Sequence, residues 1–165
     1  MELKTRRVQF VGCTPNPHEA GMKQAARKLT AFDDRFLNGK RYLIMDRDGT
    51  FCESFRKLLA DASVEPIRLP SRSPDLNAYI ERFFRSLKSE CVERMIFFGE
   101  RLLRNAVREY MPHYHRERNH QALNNKRIDA NNEAPPDGEI ACCKPLGGIL
   151  RTYHRQAAYA SLPMR

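Results

Sequence analysis

Acidic side chains occupy two places in this sequence from which carboxylates could hold a divalent metal ion. The stretch LIMDRDGTF, residues 43–51, sets Asp46 and Asp48 directly after an apolar run typical of a strand. Glu81 lies in SPDLNAYIERFFRSLKSE, with 34 residues between Asp46 and Glu81. Carboxylate oxygens are the hard ligands that Mg²⁺ prefers, so these acids are candidate metal ligands, Asp48 the weaker of the first pair. The structural alternative is that polar residues often end a strand and that a lone Glu often lies beside an apolar helix face.

Basic residues accompany Glu81. Arg85 lies one helical turn after Glu81 and Lys88 lies two turns after it, so a carboxylate and two cations share one edge of a helix. The chain of 165 residues carries 29 Lys and Arg against 20 Asp and Glu, a formal charge of +9. This balance favours a polyanionic partner such as nucleic acid, although a basic chain can also simply have a solvated surface.

The cysteines and histidines indicate neither a disulfide framework nor a zinc site. The five cysteines are odd in number and contain no C-x-x-C pair. His113 and His115 are separated by one residue, so they point apart on a helix. The sequence also has no apolar leader and no run of membrane length, and we expect a cytoplasmic protein without a membrane partner.

Strand-like and helix-like patterns alternate along the chain, which is typical of an α/β domain. The pattern predicts, in order, a strand at Leu3–Val11, a helix at Pro17–Leu29, a strand at Lys40–Met45, a helix at Glu53–Ala62, a strand at Pro66–Pro70, a helix from Leu76 that meets no breaker before Gly99, and a helix at Gly99–Arg116. We expect one domain over residues 1–123. Residues 124–165 begin with a polar linker, and their apolar content is enough for a short strand or helix.

Three motifs together resemble a known family. DRDGTF, SPDLNAYIERFFRSLKSE and YHRERNHQAL follow one another at Asp46, Ser73 and Tyr114. In order and spacing they resemble the integrase core of insertion-sequence transposases and retroviral-type integrases, the D,D,E polynucleotidyl transferases. The resemblance covers roughly residues 2–123, about three quarters of the chain. It implies a ribonuclease-H-like mixed sheet flanked by helices, here with a truncated first strand and a helical C-terminal extension.

The resemblance also implies roles for individual residues. Asp46 matches the second catalytic Asp, and Glu81 matches the catalytic Glu. Such carboxylates hold two divalent ions, Mg²⁺ or Mn²⁺, for phosphoryl transfer in DNA integration. Lys88 matches a lysine that lies along the DNA, and Arg85 is a second candidate DNA contact. The implied partners are DNA, as element ends and target, and further copies of the chain on that DNA. The implied location is the bacterial nucleoid.

The beginning of the chain departs from the family pattern. Glu2 falls where the first catalytic Asp is expected, and the apolar half of the first strand is absent. Glu2 is therefore the candidate third ligand, but it is one methylene longer than Asp and lies at a terminus that we expect to fray. We expect a truncated or decayed copy, or one piece of a split gene.

Two functions of different classes follow from these observations. The first is a DNA strand-transfer enzyme that uses Asp46, Glu81 and Lys88. The second is a catalytically dead remnant that keeps DNA binding or oligomerisation. In either case we expect the strand at Leu3–Val11 to lie beside the strand at Arg41–Met45, and the Glu81 carboxylate to approach Asp46.

Overall fold

The computed structural model describes residues 1–31, 36–70, 74–129 and 138–155. Ser73, the first residue of the second motif, and part of the expected linker lie outside these residues. The chain divides into two compact units, the first formed by residue 1 and residues 9–84, the second by residues 2–8 and 85–165. The described elements are helices and small sheets, so the expected mixed α/β class is confirmed. They are α1 (Glu19–Thr30), β1 (Tyr42–Met45), α2 (Glu53–Asp61), β2 (Glu65–Arg68), α3 (Ala78–Glu90), α4 (Glu100–Arg116), β3 (Ile140–Cys143) and β4 (Thr152–Arg155).

A β1–α2–β2 crossover organises the first unit. β1 and β2 pair in parallel, with Ile44 opposite Ile67, and parallel neighbours need a crossover such as α2. Helix α2 presents Phe55 and Leu59 on one face, at helical spacing, and packs against α1. The buried core of this unit comprises Ala26, Leu37, Met45, Phe55, Leu59 and Val64. These elements form within a few residues of where the apolar spacing predicts them.

Helix α3 ends earlier than its sequence indicates. No breaker precedes Gly99, but Cys91 leaves the helical conformation and is completely buried. The Nε of Arg94 donates to the carbonyl of Ser89 at 3.0 Å, which satisfies one acceptor of the last turn. Gly99 then takes a positive φ of 86° at the start of α4, a conformation that favours glycine. The prediction of a helix reaching Gly99 is therefore wrong beyond Glu90.

The predicted strand at Leu3–Val11 is also wrong. Residues 3–5 form a turn in which the Glu2 N–H donates to Arg7 O and the Arg6 N–H donates to Glu2 O. Arg6 has a positive φ of 64°, which a strand does not allow. The hydroxyl of Thr5 donates to the Glu2 carboxylate, so local side-chain bonds compete with strand pairing.

Contacts within the second unit hold the same segment after its turn. The Val8 N–H donates to Nε2 of His115 at 3.1 Å, and Arg7 pairs with Asp129 at 2.6 Å. These contacts hold residues 7 and 8, whereas the expected fraying of Glu2 stays a prediction. Among the described strands, the partner of β1 is β2 and not the segment at the start of the chain.

The described part of the C-terminal region contains strands where a helical extension was expected. β3 and β4 pair antiparallel, with Cys143 opposite Thr152. A 3₁₀ turn at Leu146–Gly148 joins them, and Gly147 and Gly148 take the left-handed conformation there. Leu146 is buried, and its N–H donates to the Glu109 carboxylate of α4. The helical extension is thus wrong for residues 138–155, where a two-stranded sheet forms.

Within the described ranges, no helix combines the length and the apolar character that crossing a bilayer requires.

Truncating the core of the first unit should destabilise it strongly. Leu59 is completely buried in α2, so we expect Leu59→Ala to lower the free energy of unfolding by about 2–5 kcal/mol. The matched control is Leu102→Ala in α4, where the side chain is exposed and the change should stay within about 0.5 kcal/mol. Urea titration followed by circular dichroism measures both. Equal losses for the two variants would contradict the assignment of this core.

Candidate active site

Two successive carboxylates shape the loop after β1. Asp46 is exposed, and its Oδ1 accepts a hydrogen bond from the Asp48 N–H at 3.0 Å. Asp48 Oδ1 in turn accepts from the Thr50 N–H at 2.8 Å, and these bonds from Thr50 lower the pKa of Asp48. Such Asx turns explain why acids follow this strand. An ionised carboxylate has about four lone-pair sites, so the turn leaves Asp46 with capacity for a further ligand.

This loop lies at the carboxyl edge of the β1–β2 sheet. The Leu69 N–H donates to Met45 O at 2.9 Å, which continues the parallel pairing past β2. The Nε of Arg47 donates to Leu69 O at 3.0 Å and fastens the two strand ends together. In α/β sheets, ligands bind outside the carboxyl ends of the strands. Asp46 therefore lies at the kind of edge where a site is expected.

Glu81 lies in the first turn of α3 on its exposed face. The buried face of α3 carries Phe83, Ser86 and Leu87, and the opposite face carries Glu81, Phe84, Arg85 and Lys88, all exposed. Their spacing of three, four and seven residues places these four side chains on one stripe. The structure thus brings Glu81, Arg85 and Lys88 onto the shared helix edge that the sequence indicates.

Lys88 has an acidic neighbour that the sequence analysis did not consider. Its Nζ lies 3.5 Å from Oε1 of Glu93, and both side chains are exposed. An exposed pair of this kind contributes about 0–1 kcal/mol. Lys88 can therefore exchange Glu93 for another anion at little cost.

The three candidate ligands are not all in one unit. Asp46 and Glu81 belong to the first compact unit, whereas Glu2 belongs to the second. Oε2 of Glu2 accepts a hydrogen bond from the Thr5 hydroxyl at 2.7 Å. Across residues 1–31, 36–70, 74–129 and 138–155, no group of three or more His, Cys, Asp or Glu side chains is arranged to hold a metal ion. The approach of Glu81 to Asp46 stays a prediction.

Sequence reasoning missed the carboxylate of Glu90. Its oxygens accept hydrogen bonds from the Tyr110 hydroxyl at 2.9 Å and from Nε of Arg118 at 3.0 Å. Tyr110 is fully buried, and burial together with the Glu90 charge raises the pKa of its hydroxyl well above the ordinary value. Arg118 belongs to the motif YHRERNHQAL, which in this structure fastens the end of α3 to α4. The sequence did contain a signal for this role, because Glu90 lies three residues after Leu87 and seven after Phe83 and so shares their helix face.

His115, in the same motif, is a partly buried acceptor. Val8 donates its N–H to Nε2, which requires that nitrogen to be unprotonated. Burial, aided by the nearby Arg7 charge, lowers the pKa of His115 to about 4. The motif therefore has a structural role at two of its positions, since His115 holds the start of the chain and Arg118 holds α3.

Comparison with protein families gives one match. The family described as "Integrase core domain" matches residues 62–127, which is less than half of the chain. The matched segment contains β2, α3 and α4, and with them Glu81, Lys88, Glu90 and Arg118, whereas Asp46 precedes it. No curated protein and no solved structure matches the chain.

The partly buried imidazole of His115 predicts acid sensitivity. Its pKa of about 4 lies below the ordinary 6.5, so the unfolded chain takes up this proton first as the pH falls. The free energy of unfolding should therefore decrease between about pH 6.5 and pH 4, by at most about 1.4 kcal/mol per pH unit from this residue. His115→Gln keeps an acceptor without titrating, so its stability should fall less steeply in that window. The control is His18→Gln at an exposed position; equal slopes for the two variants would refute this role.

Proposed function

We propose, from the premise that residues 62–127 belong to the integrase core domain family, that this chain is a transposase- or integrase-type polynucleotidyl transferase of DNA integration. The observation that carries the proposal is the placement of Glu81. It lies inside the matched segment, on an exposed helix stripe with two cations. Asp46, at the carboxyl edge of β1, lies 34 intervening residues before it, the spacing on which the resemblance rests.

Asp46 and Glu81 are the proposed metal ligands, with Glu2 as the third candidate. The donor chemistry fits Mg²⁺ or Mn²⁺, because the first two are exposed carboxylates with hard oxygen atoms. When bound, two such ions activate a water or a DNA 3′-hydroxyl and stabilise the departing oxygen in an in-line displacement at phosphorus. Asp46 contributes a carboxylate that the Asx turn already orients, which reduces the entropy lost on binding.

Arg85 and Lys88 are the proposed contacts to the DNA backbone. Both are exposed on the stripe that begins with Glu81, and cations at phosphates fix the register of a strand without reading its sequence. On this proposal the partners are DNA, as element ends and target, and a second copy of the chain bound to that DNA in the bacterial nucleoid.

A ribonuclease-H-like fold is the proposed larger architecture. Its support is the parallel β1–β2 pair with the crossover helix α2, followed by α3 with the proposed catalytic Glu. The sheet of the first unit has two strands in the described residues. The proposed ribonuclease-H-like fold is therefore argued only for the elements that carry Asp46 and Glu81.

A second candidate function is DNA binding or oligomerisation without catalysis. Two observations favour it. No group of three metal-ligating side chains occurs among the described residues, and Glu2 lies in a turn rather than in a strand. The two candidates differ in whether metal-dependent chemistry accompanies DNA binding.

Metal binding should depend on the two proposed acids. We expect weak Mn²⁺ binding, and we expect Asp46→Asn or Glu81→Gln to weaken it further by at least about tenfold, since even changes behind a ligand cost that much. The matched controls are Asp61→Asn and Glu53→Gln, both exposed acids of α2. Titration followed by electron paramagnetic resonance measures free Mn²⁺. Unchanged Mn²⁺ affinity in all four variants would refute the assignment of Asp46 and Glu81 as metal ligands.

Metal-dependent cleavage and joining of DNA strands discriminate the two candidate functions. The full chain is incubated with supercoiled plasmid and Mg²⁺ or Mn²⁺, and nicking and joining are scored on gels. Metal-dependent products that Asp46→Asn abolishes would establish the enzyme, and we expect their yield to be low because two carboxylates are few for two ions. DNA binding with no such products would establish the second candidate. Products that Glu2→Gln leaves unchanged would exclude Glu2 as the third ligand.

Neutralising the helix stripe should change the salt dependence of DNA binding. Each lost phosphate contact lowers the slope of log K against log[salt] by about 0.9, so Lys88→Gln and Arg85→Gln should each show a shallower slope on any duplex. Arg151→Gln removes an exposed charge outside the stripe and should leave the slope unchanged. Glu93→Gln removes the acidic neighbour of Lys88 and should raise affinity. Equal slopes for Lys88→Gln and Arg151→Gln would refute the proposed contact between Lys88 and a DNA phosphate.

A further inference from the structure

Adjacent phenylalanines of α3 have opposite environments. Phe83 is 4% exposed and belongs to the buried face, whereas Phe84 is 57% exposed. Their ring centroids lie 5.5 Å apart with a tilt of 58°, so the buried ring supports one side of the exposed ring. Phe84 therefore presents a supported aromatic surface to solvent.

The neighbours of Phe84 indicate what this ring contacts. On its stripe, Glu81 lies three residues before it, Arg85 follows directly, and Lys88 lies four residues after it. A singly exposed apolar side chain is ordinary on a protein surface and identifies no partner by itself. An exposed ring beside two exposed cations is the combination that binds single-stranded nucleic acid, where bases stack on the ring and cations track the phosphates.

We propose that Phe84 is a stacking platform for an unpaired nucleobase of a DNA strand, with Arg85 and Lys88 on the adjoining phosphates. The proposal rests on the proposed function of the same stripe, because Glu81 would place the reacting phosphate next to the stacked base. In a duplex each base already stacks on its neighbours, so a base reaches Phe84 only where the strand is unpaired. The platform thus selects frayed, flapped or single-stranded DNA over intact duplex.

A second exposed phenylalanine provides a comparison. Phe98 is 82% exposed, more than Phe84, but it precedes α4 and has Gly99 and Glu100 as its next neighbours. If exposure alone directed binding, Phe98 would be the better stacking platform. If adjoining cations are also required, Phe84 is the better platform.

The absence of tryptophan from the sequence allows a direct test. Phe84→Trp and Phe98→Trp each introduce a single tryptophan into the full chain, which is excited at wavelengths where the six tyrosines do not absorb. Each variant is titrated at low salt with oligothymidylate and with a blunt DNA hairpin, while anisotropy of a labelled strand reports binding. Oligodeoxyuridylate and oligouridylate, which differ in the sugar alone, are titrated in the same way. We expect the DNA single strand to quench Phe84→Trp saturably, the hairpin to quench it little, and Phe98→Trp to respond to none of them.

Affinity measurements on a variant without the aromatic ring test the same contact independently of fluorescence. Stacking of one base on an aromatic ring corresponds to about 5- to 150-fold in affinity, so Phe84→Leu should weaken oligothymidylate binding by about tenfold and hairpin binding little. Phe98→Leu should leave both unchanged. Stronger quenching by oligodeoxyuridylate than by oligouridylate supports DNA as the source of the base, and equal quenching supports an unpaired base on either sugar.

Three results would overturn the proposal. Unchanged Phe84→Trp emission while anisotropy reports binding would exclude stacking and leave the proposed function intact. No binding of any strand would overturn both. A blue shift of Phe84→Trp emission with rising protein concentration, without nucleic acid, would show that a second copy covers the ring instead.

Discussion

The half-buried carboxylate of Glu90 sets the orientation of the helix on which the candidate site depends. The Tyr110 hydroxyl and the Arg118 guanidinium converge on it, so the last turn of α3 is fixed to α4 by charge-assisted hydrogen bonds. Removing one partner of such a group leaves a charge or hydroxyl unsatisfied and costs about 1–3 kcal/mol. Because a helix is rigid over three turns, fixing Glu90 inward also fixes Phe83 and Leu87 inward. Glu81, Phe84, Arg85 and Lys88 then face solvent together.

Helical periodicity explains why much of this arrangement can be predicted from the sequence. Helices α1, α2 and α4 form where apolar residues recur at helical spacing, and β1 and β2 form at short apolar runs between turn residues. The stripe of α3 follows from the same periodicity. Asp46 became a candidate ligand because an acid directly after an apolar strand is visible in the sequence, and its pairing with Glu81 stays a prediction.

Long-range contacts and side-chain competition explain what the sequence did not predict. The contacts of Glu90 join residues 20 and 28 positions apart, and no local pattern encodes them. The segment at Leu3–Val11 has strand-like composition, but Thr5 bonds to Glu2 and His115 captures the Val8 N–H, so a turn forms instead. Packing of Cys91 ends α3 although its local sequence contains no breaker.

On the proposed function Asp46 and Glu81 line one metal site, and localised cleavage of the backbone by bound Fe²⁺ is the sharpest test of that claim. Carboxylate sites for Mg²⁺ also accept Fe²⁺, which with peroxide and ascorbate cuts the backbone next to its ligands. We expect cuts in both segments, near residues 46–50 and near residues 78–84, and we expect excess Mg²⁺ to suppress them. Asp46→Asn should abolish the cuts near Glu81 as well as those near position 46. Cuts near Glu81 that persist in Asp46→Asn, or cuts at one segment alone, would contradict the claim.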